Sequence, residues 1–319
     1  MMTHFDVFNG DADGLCSLHQ LRLEEPLESV LVTGVKRDIM LLERVDAQRG
    51  DVVTVLDVSA ASNRAGLDAL LDRGVEVHYF DHHFAGELPR HPGLTATIDT
   101  SPGVCTGMLV DRFLQGRRRI WAVVAAFGDN LEAAAVALAA PLHLAAAQID
   151  ALCELGENLA YNAYGDTEPD LIVHPAELYR TLARYADPFR MIAGEPLLGR
   201  IGAARRDDLA LATALQPEFA SACAAVYVLP DAAWSRRVRG AFGNVLANRS
   251  PDLAYAILTR NAEGGYMVSV RAPRARPNGA DALCRAFATG GGRAAAAGIN
   301  HLPEEELPEF VRRLERAFV

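Results

Sequence analysis

Four groups of acidic and histidine residues carry the chemistry legible in this chain of 319 residues: Asn9-Gly10-Asp11-Ala12-Asp13-Gly14, Asp57, Asp81-His82-His83 and Gly128-Asp129-Asn130. Carboxylates two residues apart in a tight glycine-containing loop can hand their oxygens to two different cations, and an aspartate from a neighbouring strand can bridge the pair. Hard oxygen ligands with one or two imidazoles suit Mn²⁺ or Mg²⁺ better than zinc. Two such ions held roughly 3.5–4 Å apart clamp a phosphoryl group and lower the pKa of a bridging water. The reaction class that such a set of residues predicts is metal-assisted phosphoester hydrolysis. Taken singly, each group reads more simply. Asp57 and Asp129 could cap helices, with Ser59 competing for the first role, and His82 and His83 could be a satisfied loop pair. A calcium loop starting at Asn9 would need Glu where Gln20 stands.

What joins the groups is the pattern of elements around them. Short apolar runs at residues 5–8, 29–35, 52–56 and 75–80 alternate with helical spacing at 14–23, 38–48 and 63–73. That alternation predicts a mostly parallel sheet with right-handed crossovers. The Asn9 loop, Asp57 and the Asp81 triplet then come directly after the first, third and fourth strands, and ligands of open parallel sheets bind outside the carboxyl ends of the strands. Residues 104–184 read as helical, with an alanine-rich stretch at 133–147 expected against the sheet. Prolines and glycines from Pro188 to Gly202 mark a linker, placed at 191–215 between a domain at 1–190 and another at 216–319. The second predicts strands at 224–229, 253–259 and 266–270, the last two a hairpin, and helices at 235–248, 280–288 and from Glu304. The fold class is α/β: a Rossmann-like parallel-sheet domain with a helical extension, then a smaller α/β domain.

Forty-one acidic against 31 basic residues give a formal charge of -10, which argues against a protein that coats long duplexes through counterion release. Lys36 is the only lysine. Five widely spaced cysteines indicate neither a disulfide framework nor a zinc cluster. No apolar run approaches the roughly 20 residues of a spanning helix, and the start lacks signal-peptide features, so a cytoplasmic location without membrane contact is the expectation.

In this order, Asp11-x-Asp13-Gly14, Asp57, Asp81-His82-His83 and Gly128-Asp129 resemble the motifs of the DHH phosphoesterase superfamily, closest in layout to its nano-RNase and exonuclease-like members. Ser269-Val270-Arg271 together with the run from Gly290 to Gly298 resembles the glycine-rich signature of the DHH-associated substrate-binding domain. The resemblance implies that Asp11 binds one metal and Asp13 the other, that Asp57 bridges them, and that His82 and Asp129 complete the second site. It implies that Asp81 holds the His82 ring and that His83 sits beside the scissile phosphate. In the second domain, Arg271 and the backbone of Gly290, Gly291 and Gly292 would hold the distal end of the substrate, as an anion cradle ahead of a helix. Three positions depart from the pattern: Val7 and Asn9 where relatives have His or Asp, and Arg293 where the glycine motif usually has His. The implied cofactor is a pair of Mn²⁺ ions, with Mg²⁺ the alternative. The implied substrates are short oligonucleotides or linear dinucleotides, cut to mononucleotides in a cleft between the domains. A phosphatase for a small nucleotide such as an adenosine bisphosphate, a pyrophosphatase, and a catalytically weak nucleotide sensor remain alternatives; a homodimer is compatible with all of them.

Overall fold

The structure is a computed structural model that describes residues 2–319. The chain divides into two units, one ending at Ala203 and the other spanning Ala204–Val319. The first opens with β1 (His4–Phe8), α1 (Ala12–Glu24), β2 (Val30–Val32), β3 (Val52–Leu56), α2 (Arg64–Asp72), β4 (Glu76–Asp81) and β5 (Leu94–Ile98). Its five strands are all parallel, in the order β2-β1-β3-β4-β5. The chain winds one way from β1 to β2 and the other way from β3 onward, so the sheet's switch point lies between β1 and β3, where such sheets bind ligands.

Side chains alternate across the sheet. Phe5, Val7, Val53, Val55, Val77 and Tyr79 pack with Leu67, Leu70 and Leu71 of α2 on one face, while Phe8, Leu56 and Phe80 face α1 on the other. The register pairs Phe8 with Leu56 and Leu56 with Phe80. Asn9, Asp57 and Asp81 therefore leave the sheet at the same edge. Residues 38–48 carry only a short 3-10 turn at Leu41–Arg44, and β5 is an edge strand with no sequence signal strong enough to predict it.

Helices α3 (Thr106–Phe113), α4 (Arg119–Gly128), α5 (Glu132–Ala139), α6 (Ala146–Asn162), α7 (Pro175–Leu182), α8 (Pro188–Gly194) and α9 (Pro196–Thr213) come next. The buried helix is α4, enclosed from Trp121 to Gly128. The alanine-rich stretch expected there is mostly exposed, with α5 burying only Ala135 and Ala139. Residues 120–127 are apolar on every face, as an enclosed helix must be, whereas alanine offers little area to bury. The expected linker at 191–215 is also corrected: it is largely helical. Pro188 and Pro196 stand at helix starts, where proline's missing N–H costs nothing, and the boundary between units falls inside α9.

The second unit holds β6 (Phe219–Ala220), β7 (Ala224–Val228), α10 (Ala233–Arg249), β8 (Ala254–Arg260), β9 (Gly265–Arg271), α11 (Ala280–Arg285), β10 (Gly290–Arg293), β11 (Ala296–Pro303) and α12 (Leu307–Phe318). The sheet order is β10-β11-β9-β8-β7-β6, with only β7 and β8 parallel. Period-two alternation again serves two faces. Ala254, Ala256 and Leu258 pack with Phe310, Leu314 and Phe318 of α12, while Tyr255 and Ile257 pack with Phe242 and Leu246 of α10. Among the described residues no helix is long and apolar enough to cross a membrane.

The approach of α4 to α1 depends on Gly128, where an added Cβ would lie 2.2 Å from Ala12 Cβ and 3.0 Å from the Gly156 carbonyl oxygen. Gly128→Ala should cost about 1–3 kcal/mol, read as a lower urea midpoint. A midpoint equal to that of the wild type would show that these helices can part freely.

Candidate metal centre

The loop after β1 is shaped by its own side chains. Asn9 Oδ1 accepts from the Asp11 N–H at 3.2 Å, and Asp11 Oδ1 caps α1 by accepting from Asp13 and Gly14 at 3.1 and 3.3 Å. Asp13 does the same for a distant helix. Its two oxygens accept from the backbone N–H groups of Thr106 (2.8 Å) and Gly107 (2.7 Å), which are the unpaired donors at the start of α3. Asp57 comes after β3 in a left-handed conformation, φ +60°, which aspartate tolerates better than most residues. The Thr106 hydroxyl donates to Asp57 Oδ1 at 3.3 Å. Asp129 ends α4 at its C-cap, where a carboxylate meets the negative end of the helix and gains from a nearby cation.

His82 is oriented by the backbone. Its Nδ1 lies 2.8 Å from the Val104 carbonyl oxygen, which places the ring proton on Nδ1 and leaves the Nε2 lone pair bare. That Nε2 stands 3.3 Å from Asp57 Oδ1 and 3.9 Å from both Asp13 Oδ2 and Asp129 Oδ2. Asp57, His82 and His83 each bring a ligand atom within 4.8 Å of the others. Several carboxylate oxygens and a bare imidazole nitrogen turned toward one another are a donor set for a hard divalent cation, and the residues fit such an ion.

The charge balance points the same way. Burial, reinforced by Asp13, Asp11 and Asp129, pushes the Asp57 carboxyl well above its ordinary range. Burial and Asp13 push Asp129 up to about 6, with Lys36 opposing. Burial also works against the charge on Asp11, yet Lys36 and the Gly14 N–H hold it below the usual carboxylate value. The Lys36 ammonium is 2.6 Å from Asp11 Oδ2 and 3.7 Å from Asp129 Oδ1. Sequence reasoning assigned Lys36 no role, and its being the sole lysine was the one signal that could have drawn attention to it.

All of Asp11, Asp13, Asp57, Asp81, His82, His83 and Asp129 gather at this edge, with one correction. Asp81 does not hold His82. Its Oδ1 pairs with His83 Nδ1 at 2.7 Å, because the bend after β4 turns His83 back toward it while Val104 takes His82. Burial alone would lower the His83 pKa, but Asp81 raises it above 6.5.

The second-unit residues are placed differently from the expectation. Gly290, Gly291 and Gly292 do not precede a helix. With Arg293 they form β10, paired antiparallel with β11. Two of the glycines are required by the backbone: a Cβ on Gly290 would lie 1.7 Å from the Cys284 carbonyl oxygen, and Gly292 has φ +136°, whereas Gly291 has open space beside it. Arg271 is engaged within its unit, donating from Nε to Asn244 Oδ1 at 2.7 Å and from Nη1 to the Ser269 hydroxyl at 3.0 Å. Arg293 is exposed.

No family model and no curated protein matches this sequence. Solved structures do match. Exonuclease RecJ bound to manganese superposes with a TM-score of 0.63 at 20% identity, over 98% of this chain and 89% of that one. RecJ from Thermus thermophilus with Mn²⁺ gives 0.60 at 19% identity, and there this chain, 98% covered, spans 51% of the other's length. The pGpG-specific phosphodiesterase PggH of Vibrio cholerae gives 0.53 at 12% identity, covering 98% of this chain and 97% of that one.

The raised Asp129 carboxyl has a measurable consequence. A carboxyl at about 6 against an ordinary 3.8 favours the protonated folded state, so ionising it costs stability as pH rises through 6, and that cost vanishes as pH falls toward 3.8. Metal-free Asp129→Asn should therefore melt above metal-free wild type at about pH 7, with the gap closing near pH 4. Equal melting at neutral pH would refute the buried repulsion.

Proposed function

We propose, for a chain with the fold of the DHH phosphoesterases, that it is a divalent-metal-dependent hydrolase of short nucleotidic phosphodiesters. The observation that carries this reading is the bare Nε2 of His82 facing Asp13, Asp57 and Asp129 while its other nitrogen is fixed by Val104. A divalent ion held by those residues, Mn²⁺ by preference, would polarise a phosphoryl oxygen and lower the pKa of a bound water.

The protein's own groups do the rest. Asp81 binds His83 through Nδ1, which leaves Nε2 as the ring atom that exchanges a proton with the leaving oxygen. Against the effect of burial, Asp81 raises the His83 pKa, which favours the proton-bearing ring. Asp13 aligns its oxygens by hydrogen bonds to Thr106 and Gly107, so the ligand set is rigid before any ion arrives. In the second unit we assign phosphate recognition to exposed Arg293, whose guanidinium can grip a phosphate bidentately, with Arg271 and the Gly290 to Gly292 strand building the surface beside it. The net charge of -10 favours short substrates over long polyanions.

The test is a panel of labelled two- to about seven-nucleotide RNAs with Mn²⁺, on which hydrolysis to mononucleotides should slow as length grows. Turnover of an adenosine bisphosphate but not of the panel would move the substrate to small nucleotides, and no phosphoester turnover at all would overturn the reading. Asp57→Asn keeps a residue that accepts positive φ and should abolish activity with the fold intact by circular dichroism. His83→Ala should lower kcat by about 10²–10⁴-fold at saturating Mn²⁺; wild-type kcat would remove the acid role.

A further inference from the structure

We propose that the Lys36 ammonium occupies one of the two cation positions of this centre, so that the protein binds a single divalent ion beside a built-in fixed charge. The proposal rests on the metal-dependent reading and specifies how many ions the site takes.

The donors group around two positions, with Asp57 also in side-chain contact with Asp11 between them. Around Lys36 Nζ lie Asp11 Oδ2 at 2.6 Å and Asp129 Oδ1 at 3.7 Å. Around His82 Nε2 lie Asp57 Oδ1, Asp13 Oδ2 and the other oxygen of Asp129, Oδ2. Asp129 thus spans two positive positions, the arrangement a bridging carboxylate has between two ions, and one of those positions is filled by nitrogen.

Lys36 is half-exposed, and its backbone is tied down so that the ammonium is held against the aspartates. Its N–H donates to the Ala163 carbonyl at 3.0 Å, its own carbonyl accepts from Asn9 Nδ2 at 3.1 Å, and its ammonium lies 5.8 Å from the centroid of the Tyr164 ring. Asn9 is thereby committed, its amide to the Lys36 backbone and its oxygen to the Asp11 N–H. On this side Asp11 and Asp129 are left with an ammonium for partner, in place of the six or more oxygen ligands a hard divalent ion gathers.

Charge completes the argument. Four carboxylates, Asp11, Asp13, Asp57 and Asp129, surround the centre; one ammonium and one divalent ion leave it slightly negative. A second divalent ion at Lys36 would place like charges in contact, where repulsion is steep.

The experiment is Mn²⁺ titration of the metal-stripped full chain, with bound-metal analysis and electron paramagnetic resonance at each step. The expected result is one tightly bound ion per wild-type chain with the spectrum of an isolated Mn²⁺, and two ions with an exchange-coupled spectrum in Lys36→Met, a side chain of similar reach without the charge. Two ions in the wild type, or none, would overturn the proposal, as would Lys36→Met that still binds one ion with wild-type affinity. If Lys36→Met fails to fold, Lys36→Gln is the second variant, and the wild-type count alone still decides. The count requires no substrate: a wild type with one ion and no phosphoester turnover removes the proposed function and leaves this assignment standing, whereas turnover with two ions does the reverse.

Discussion

Everything at the edge of the first sheet is arranged around one electrostatic difficulty: several carboxylates of the same sign are buried within a few ångströms of one another. A buried charge is tolerated only when it is paired or hydrogen-bonded, and each aspartate finds a different solution. Asp11 caps its own helix and pairs with Lys36. Asp13 takes the free N–H groups of α3. Asp81 takes the proton-bearing ring of His83. Asp57 and Asp129 are left undercompensated, and their upward-shifted carboxyls are what a cation would relieve. The fold supplies this tension through register, because the in-line pairing of Phe8, Leu56 and Phe80 delivers the next residue of each strand to one place.

The strand-end aspartates were legible because a parallel sheet writes itself as short apolar runs, and residues just past those runs must emerge at one edge. The first four strands were legible for the same reason and the helical middle from its spacing, although residues 38–48 hold a 3-10 turn where a helix was expected. Lys36 was not, since its partner Asp11 is 25 residues away and the pair meets only because β2 lies beside β1. The exchange of partners between His82 and His83 depends on the backbone bend after β4 and on Val104, neither of which leaves a mark in the triplet itself. The glycine run misled for a chemical reason. A phosphate cradle and a crowded edge strand both demand residues without Cβ, and only the succeeding element, β11 in place of a helix, separates them. Pro188 and Pro196 misled similarly, because proline marks helix starts as well as linkers.

Arginine and lysine also divide the work of carrying positive charge. Arg271, expected to hold substrate, spends its hydrogen bonds on Asn244, Ser269 and backbone carbonyls, and so holds its own unit together, as Arg276 does by donating to the carbonyl of Phe318. The cation among the aspartates of the first unit is instead the compact ammonium of Lys36. A point charge on a flexible stem can enter a narrow acidic recess, where a planar guanidinium would need a matching fork.

The hydrogen bonds from Thr106 and Gly107 to Asp13 span 93 and 94 residues of chain. A carboxylate of the centre is therefore also a long-range tie of the tertiary structure, and closing so long a loop costs entropy that the packed strands and helices between its ends must offset. A half-folded chain carries the same aspartates without the geometry. The geometry of the centre is therefore a property of the whole first unit and not of the aspartate loops alone.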